Sequence, residues 1–356
     1  MIRTASPSSR MITAAIALLL GSFAISASAS SYSFQTLNNS GDPNFNQLLG
    51  VNSLASPTIT GYFGDGTTVP NNGYTLVPPG SYTAENYPGA AQTQVTGIAP
   101  LSSVITVGFY VDGSGDNIGF VNTGGTFTAV ANPSTPVGGT SVNQLLGIND
   151  SGLAVGFYTD AGGDNHGYIY NTLTQAFTSV NLPSAWNAVS VTATGINDAG
   201  VISGFYTDGT GTTYGFTDDG GTFTNFEVPG GSNTLFFGIN SSDQVVGSYV
   251  DGSGLTDGLL YSLGTNSYQT IDDPFASATA AFGVTGTIIN GINNAGDLVG
   301  FYSDGTNVNG FEATPTPEPN TIWLLLTGVI LLIAKFGLSR NSPVRFPHLR
   351  RGVGAL

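Results

Sequence analysis

Three loops of this chain carry pairs of aspartates in glycine-rich sequence, an arrangement that can bind calcium. Calcium needs several oxygen ligands, and glycine permits the tight turns that bring them together. Two carboxylates per loop are few for such a site, however, and Asp-Gly is also common hairpin chemistry. Plain turns are therefore the stronger interpretation, with calcium as the alternative and six weak candidate ligands: Asp112, Asp116, Asp160, Asp164, Asp251 and Asp257.

Residues for catalysis are scarce. His166 is the only histidine apart from His348 near the C-terminus, and the absence of cysteine excludes a Cys-His pair. A Ser-His-Asp triad would depend on this one histidine. A glycosidase needs two facing carboxylates, and no spacing in the chain selects a pair. The sequence therefore predicts a protein that is not an enzyme and needs no cofactor, with a polysaccharide-active enzyme as the weakest alternative.

A tyrosine recurs six times, at intervals of 43 to 53 residues, at Tyr62, Tyr110, Tyr158, Tyr206, Tyr249 and Tyr302. Such a series fits packing between repeated units. A ring of platforms on which sugars stack is the functional alternative. Trp186 is the only tryptophan apart from Trp323. It is a weak candidate for a glycan contact.

Positive charge is confined to the two ends of the chain. Arg3 and Arg10 lie near the N-terminus, Lys335 and four arginines lie near the C-terminus, and all 22 acidic residues lie between these two groups. A region without basic side chains cannot neutralise phosphates, which argues against nucleic acid as a partner. Anionic lipid surfaces are disfavoured for the same reason. Neutral glycans and cations remain as partners.

The missing basic residues make a direct prediction. Trypsin cleaves after Lys and Arg, so it should not cut the chain between Arg10 and Lys335 even when the protein is unfolded in urea. Chymotrypsin, which cleaves after the frequent Tyr and Phe residues, is the control. Gel electrophoresis and mass spectrometry of both digests are the measurement, and any internal tryptic peptide from this region would contradict the sequence reading.

A phrase recurs six times and indicates repeated structural units. It begins with Gly-Ile-Asn or a close variant and continues, about ten residues later, with Gly-Phe-Tyr or a variant. The leading glycines are spaced by 47, 50, 48, 43 and 53 residues, at Gly50, Gly97, Gly147, Gly195, Gly238 and Gly291. A motif present in every unit is more plausibly a structural turn than a catalytic site.

The sequence pattern of each repeat predicts four short strands. Asn-Asp-x-Gly separates the first two strands, an Asp-Gly-rich loop separates the next two, and an aromatic-Thr pair marks the fourth. The sixth repeat stops after Gly310-Phe311, while Ser33-Phe34-Gln35-Thr36-Leu37 supplies a matching fourth strand. We therefore predict an all-β, six-bladed β-propeller closed by the N-terminal strand. An open β-solenoid or a row of separate sheets is the rival.

The N-terminus has the pattern of a secretory signal peptide. Arg3 and Arg10 precede an apolar run over residues 11–25, and Ala27 and Ala29 form an A-x-A cleavage site. Export through the Sec machinery and cleavage after Ala29 follow from this pattern. An uncleaved membrane anchor is the alternative, although the run is short for a span.

The C-terminus combines a proline linker, an apolar segment and a basic end. Pro317-Glu318-Pro319 lies in the linker (residues 314–321), and residues 322–338 just reach the length of a transmembrane helix. The positive-inside rule keeps the basic end (residues 339–356) in the cytoplasm and the body outside. The basic residues beyond the helix are Arg340, Arg345, Arg350 and Arg351. An ordinary C-terminal anchor is the alternative.

This tail resembles the PEP-CTERM sorting signal of Gram-negative bacteria. The resemblance covers about the last 40 residues and implies processing by exosortase near Pro317-Glu318-Pro319. It also implies association with exopolysaccharide and the biofilm matrix. One departure is that the arginines are spread out, whereas the family's basic cluster follows the helix directly. The repeats are similar to those of extracellular HAF-type proteins, which have no fixed activity.

These observations divide the chain into a signal peptide (1–29), a six-repeat body (30–313), a linker (314–321), a transmembrane helix (322–338) and a basic tail (339–356). The leading functional hypothesis is a non-enzymatic surface or matrix protein, held first at the inner membrane by its tail. A carbohydrate-binding propeller, with or without calcium, is the main alternative.

Overall fold

The computed structural model of the protein describes residues 31–137 and 140–316. The predicted signal peptide (1–29) with Ala27 and Ala29, the Pro317-Glu318-Pro319 motif, the predicted membrane helix (322–338) and the basic tail (339–356) lie outside these residues. Within the described part, no helix is long and apolar enough to cross a membrane.

The strands of the compact unit Tyr32–Pro315 form six four-stranded antiparallel sheets, within the residues described. We call these sheets blades 1 to 6. Blade 1 contains β2 (Asn46–Val51), β3 (Ile59–Phe63), β4 (Asn72–Val77) and β5 (Ser81–Ala84). Blade 2 contains β6 (Gln92–Ile98), β7 (Ile105–Val111), β8 (Asn117–Thr123) and β9 (Thr126–Val130). Blade 3 contains β10 (Asn143–Ile148), β11 (Leu153–Thr159), β12 (Asn165–Asn171) and β13 (Phe177–Ser179).

The second half of the chain repeats this arrangement. Blade 4 contains β14 (Ala188–Ile196), β15 (Ile202–Asp208), β16 (Thr213–Asp219) and β17 (Thr222–Phe226), preceded by a 3-10 helix (Ser184–Trp186). Blade 5 contains β18 (Ser232–Ile239), β19 (Gln244–Val250), β20 (Thr256–Ser262) and β21 (Ser267–Thr270). Blade 6 contains β22 (Thr287–Ile292), β23 (Leu298–Ser303), β24 (Val308–Pro315) and, from the N-terminus, β1 (Tyr32–Thr36). The described residues thus confirm the predicted six-bladed propeller.

The first strand of each blade lies innermost, and a glycine in it touches the next blade. A Cβ on Gly147 would lie 2.7 Å from the Thr194 carbonyl oxygen and 3.1 Å from the Gly195 Cα. The series closes on itself, because a Cβ on Gly291 would lie 3.2 Å from the Gly50 Cα. The leading glycine of the repeated phrase is therefore required by the close approach of neighbouring backbones.

The asparagine of the same phrase builds its own turn and ties that turn to the next blade. Asn149 Oδ1 accepts the N–H groups of Ser151 (3.1 Å) and Leu153 (3.0 Å), while its Nδ2 donates to the Asn197 carbonyl oxygen (3.0 Å). Asn197, Asn240 and Asn293 donate in the same way to the following blade. Blade 2 has Ala99 at this position, so the described series is interrupted there. These contacts confirm that Gly-Ile-Asn is a structural motif.

The ring is closed by the pairing of β1 with β24, as predicted from residues 33–37. Tyr32 pairs with Pro315 and Thr36 with Phe311 in antiparallel register. The Phe34 ring lies 5.5 Å from the ring of Phe311, and the Thr36 hydroxyl is 3.0 Å from that of Tyr302. Strand β24 extends to Pro315, two residues beyond the expected end of the body at residue 313. The N-terminal strand thus completes blade 6.

The hydrophobic core lies between blades. Val155 of blade 3 packs with Ala193 and Phe216 of blade 4, and all three side chains are buried. Val246 of blade 5 packs similarly with Ile289 of blade 6. Because each sheet is covered by its neighbours on both faces, a single blade could not bury its apolar surface alone.

Candidate functional site

Five of the six aspartates predicted as weak calcium ligands lie at one end of the propeller, in the turns between second and third strands, and Asp257 is the second residue of β20. Asp160 Oδ1 accepts the N–H groups of Gly162 (2.7 Å) and Asp164 (3.1 Å). Asp112 and Asp251 make the same turn in their blades. Their carboxylates hold backbone N–H groups, which is the expected role of aspartate in a tight turn.

The same turn occurs in blades 1, 4 and 6, where no site was predicted. It is formed there by Asp65, Asp208 and Asp304. Asp65 accepts the N–H groups of Thr67, Thr68 and Val69, and these bonds, led by that of Val69, hold the pKa of its carboxyl below the ordinary value. In all six turns the first aspartate accepts backbone N–H groups. This shared role favours a structural turn over a calcium site.

The second aspartates of the predicted pairs have different surroundings. Asp116 Oδ1 accepts the N–H of Ser141 at 2.6 Å, and Asp164 is exposed. Asp257 is buried, and burial raises the pKa of its carboxyl. Across residues 31–137 and 140–316, no three His, Cys, Asp or Glu side chains come together to hold a metal ion.

His166 makes the one ion pair found among the described residues. Its Nε2 lies 2.9 Å from Asp160 Oδ2, and its ring stacks on Tyr158 with the ring centres 5.0 Å apart. The hydrogen bond to His166 is the main cause that lowers the pKa of Asp160. Both side chains are about two-fifths exposed, at 44% and 38%. The pair therefore ties the start of β12 to the loop that contains Asp160.

The recurring tyrosines pack within the propeller, with one error in the predicted series. Tyr110, Tyr206, Tyr249 and Tyr302 are buried, and Tyr206 accepts a hydrogen bond from Asn225 Nδ2 (3.2 Å). Tyr62 pairs with Gly73, as Phe109 pairs with Gly119, so Phe63 rather than Tyr62 occupies the position of Tyr110. Successive strand residues face opposite sides, which places Tyr62 on the other face of its sheet. Packing is thus the observed role of these rings.

Trp186 is partly buried at the end of the 3-10 helix. Its ring stacks on Tyr206, with centres 5.2 Å apart, and meets Phe223 edge-on at 6.1 Å. Leu182 and Val191 belong to the same hydrophobic cluster. The tryptophan therefore covers the outer part of blade 4, and this packing takes up at least one face of the indole.

Asp273, between blades 5 and 6, is a buried carboxyl that is only partly hydrogen-bonded. It is 3% exposed, and its Oδ1 accepts the N–H of Phe275 (2.9 Å). Its Oδ2 has no hydrogen-bond partner among the described residues. Burial raises the pKa of this carboxyl above its ordinary value. Folding therefore makes ionisation of this carboxyl less favourable than it is in the unfolded chain.

Replacing Asp273 with asparagine should stabilise the protein at pH 8. A carboxyl with a raised pKa stabilises the fold below its unfolded value, and this contribution is lost as pH rises through the folded value. The variant should therefore gain on the order of 1 kcal/mol at pH 8 and show a weaker pH dependence than the wild type. Urea unfolding between pH 4 and pH 8 measures both quantities.

Asp164→Asn is the matched control, since it removes an exposed carboxylate. It should change the unfolding free energy by less than about 0.5 kcal/mol. Parallel pH profiles for the wild type and Asp273→Asn would contradict the assignment.

Two grooves open between neighbouring blades. Both lie at the end of the propeller that carries the turns between first and second strands, such as the Asn149 turn. One lies between blades 4 and 5 and has a volume of about 390 Å³; the other lies between blades 2 and 3 and has about 430 Å³. These volumes are in the range of small-ligand sites. The blade 4/5 groove is lined by Val201, Thr217, Asp219, Thr222, Thr224, Asp243, Tyr261, Leu263, Gly264 and Asn266.

Sequence reasoning missed these grooves because each is lined by residues from two repeats. Thr222 and Asn266, for example, face one groove although they are far apart in the chain. One signal was available. Asn240-Ser241-Ser242-Asp243 has an aspartate where Asn149-Asp150-Ser151-Gly152 has glycine.

No protein-family model matches this sequence, and no curated protein matches it significantly. Among solved structures, one described as TolB from Agrobacterium tumefaciens has 12% identity and a TM-score of 0.51, and the match covers 81% of this chain and 100% of that chain. A lectin of Aleuria aurantia in complex with Fucα1-6GlcNAc has 13% identity and a TM-score of 0.48, covering 77% and 97%. The SapL1 lectin in complex with alpha methyl fucoside has 10% identity and a TM-score of 0.49, covering 77% and 93%. At such identities the TolB similarity shows a shared fold alone, and the two lectin similarities carry no further weight.

Proposed function

We propose that the protein is an exported, non-enzymatic component of the cell surface or extracellular matrix, sorted by its C-terminal tail. The observation that carries this proposal is the segregation of charge, with every Lys and Arg outside residues 31–316. The pattern separates an export signal and a tail from an acidic body. The tail would engage exosortase at Pro317-Glu318-Pro319 after Sec-dependent export and a period at the inner membrane.

The fold supports this separation of the chain into an export signal, a folded body and a sorting tail. The described residues Tyr32–Pro315 form a closed ring that starts two residues after Ser30, the first residue after the expected signal cleavage, and ends two residues before Pro317. The aspartates of the acidic loops hold turns, so they give no reason to assign a reaction to the ring. In this proposal the propeller is cargo that becomes part of, or binds, an exopolysaccharide matrix.

Mass spectrometry of the mature protein from its native host tests the sorting proposal. We expect an N-terminus at Ser30 and a C-terminus near Pro317-Glu318-Pro319. Alanine in place of these three residues should leave the tail attached, whereas Thr314→Ala, near the end of β24 and just before this motif, should be processed normally. A mature wild-type protein that still ends at Leu356 would refute the proposal.

Carbohydrate binding by the ring is the second candidate function. The observation that favours it is the pair of inter-blade grooves, where threonine hydroxyls and apolar side chains lie together. A pyranose presents hydroxyls at its edge and C–H groups on its faces, so it suits such a lining. A glycan array with the purified protein, with and without a chelator, tests binding and any contribution of calcium.

A further inference from the structure

The blade 4/5 groove has a polar wall formed by one face of blade 4. Thr217 pairs with Thr224 and Asp219 pairs with Thr222 in the hairpin of β16 and β17. Directly paired residues of antiparallel strands point to the same face. The three threonine hydroxyls and the Asp219 carboxylate therefore share one surface. Asp219 is exposed, and its carboxylate makes no hydrogen bond to the described residues.

Blade 5 supplies the opposite wall and a second carboxylate. Tyr261 and Leu263 line this side together with Asp243, at the end of the Asn240 turn. Asp243 has a φ of 55°, in the left-handed region that favours glycine. The equivalent turns of blades 3, 4 and 6 have Gly152, Gly200 and Gly296 there, with φ of 73°, 89° and 86°. Blade 5 thus carries a carboxylate where these blades have no side chain. Its Oδ1 accepts a hydrogen bond from Asn197 Nδ2 (3.2 Å), and Oδ2 is the oxygen that a ligand could contact.

The groove between blades 2 and 3 is a natural comparison. Thr123 occupies the position of Asp219, since each forms the last pair of its hairpin, and Gly152 occupies that of Asp243. Asp150 also lines this groove, and its Oδ1 accepts the N–H of Leu101 at 2.9 Å, as Asp243 Oδ1 accepts a hydrogen bond from Asn197 Nδ2 in the blade 4/5 groove. The two grooves therefore share a position in the fold and differ in these two carboxylates.

Charge restricts what the blade 4/5 groove could bind. Residues 31–316 contain no Lys or Arg, so no described side chain there can neutralise a uronate, sulfate or phosphate. The two carboxylates in its lining instead favour a positively charged group. The hydroxyls of Thr222 and Thr224 suit hydroxyl groups of a ligand, and Val201 and Leu263 suit an apolar face.

We propose that the blade 4/5 groove binds a saccharide with free amino groups, of the deacetylated hexosamine class. The ammonium group lies between Asp219 and Asp243, and the sugar hydroxyls bond to the threonines of β16 and β17. This inference deepens the second candidate function and rests on the proposed location outside the cell.

Calorimetric titration of the purified full-length protein at 0.15 M salt tests the proposal. The probes are a tetramer of glucosamine, its N-acetylated counterpart and a tetramer of glucose. We expect binding of the glucosamine tetramer and little binding of the other two. Asp219→Thr and Asp243→Gly, which give this groove the residues of the blade 2/3 groove, should each weaken binding about fivefold.

Glu227→Gln is the matched control, because it also removes one negative charge and lies in the connection between blades 4 and 5 at the opposite end. Its affinity should equal that of the wild type. Equal binding of the N-acetylated tetramer, an equal loss in all three variants, or no binding of the glucosamine tetramer would each overturn the proposal. None of these results affects the sorting proposal, which depends on the mature termini.

Discussion

Gly147→Ala should lower the unfolding free energy by about 3 kcal/mol, a large part of what a domain has. The added methyl would lie 2.7 Å from the Thr194 carbonyl oxygen and 3.1 Å from the Gly195 Cα. Both are backbone atoms of the next inner strand and cannot rotate away. Relief of this overlap requires blades 3 and 4 to separate, which would disturb the buried contacts of Val155 with Ala193. Urea or thermal unfolding measures the loss.

Gly113→Ala is the control for this experiment. A Cβ at Gly113 meets no atom within 4 Å, and the backbone there is not left-handed. This variant should therefore unfold within about 0.5 kcal/mol of the wild type. If the two alanine variants were equally stable, the close approach of inner strands at the leading glycines would be disproved.

Deleting residues 31–37 should prevent stable folding of the isolated ring. The deletion removes every backbone hydrogen bond between β1 and β24, and with them the packing of Phe34 on Phe311. Hydrogen bonds contribute about 1 kcal/mol each and the buried Leu37 side chain adds about 2 kcal/mol, so the loss approaches the total stability of a domain. It also leaves β24 as an unpaired edge, which promotes aggregation. Circular dichroism and size-exclusion chromatography report both effects.

A synthetic peptide of residues 31–38 separates loss of the strand from general damage. Added to the truncated protein, it should restore the wild-type circular dichroism spectrum, because β1 needs no covalent link to pair with β24. A peptide with Phe34→Ser should restore much less. Substituting the exposed Ser33 by alanine in the full chain should change the unfolding free energy by less than about 0.5 kcal/mol. A truncated protein that unfolds like the wild type would contradict this role of β1.

The blades could be predicted because the residues that determine the geometry of each blade lie close together in every repeat. A glycine touches the next inner strand, an asparagine builds the first turn and an aspartate builds the second, so Gly147, Asn149 and Asp160 recur as a phrase. The closing strand was also visible, since residues 33–37 supply what the sixth repeat lacks. These features depend on neighbours in sequence or on the strict period.

The parts that escaped prediction depend on register or on two blades together. Tyr62 was misplaced by one residue, and a shift of one residue reverses the face of a strand. The turn role of the aspartates was the stronger of two interpretations, but the N–H groups that each carboxylate accepts could not be identified from the sequence. The blade 4/5 groove is lined by Asp219 of blade 4 and Asp243 of blade 5, and no local pattern links these two residues.

The register of β1 and β24 has a mechanical consequence. Tyr32 pairs with Pro315, so the chain enters and leaves the ring at the same end of one antiparallel pair. A pulling force applied to both ends would load these hydrogen bonds one after another, like a zipper, rather than all together in shear. A ring tethered by both termini would thus lose β1 from blade 6 under weak tension, while blades 1 to 5 stay intact.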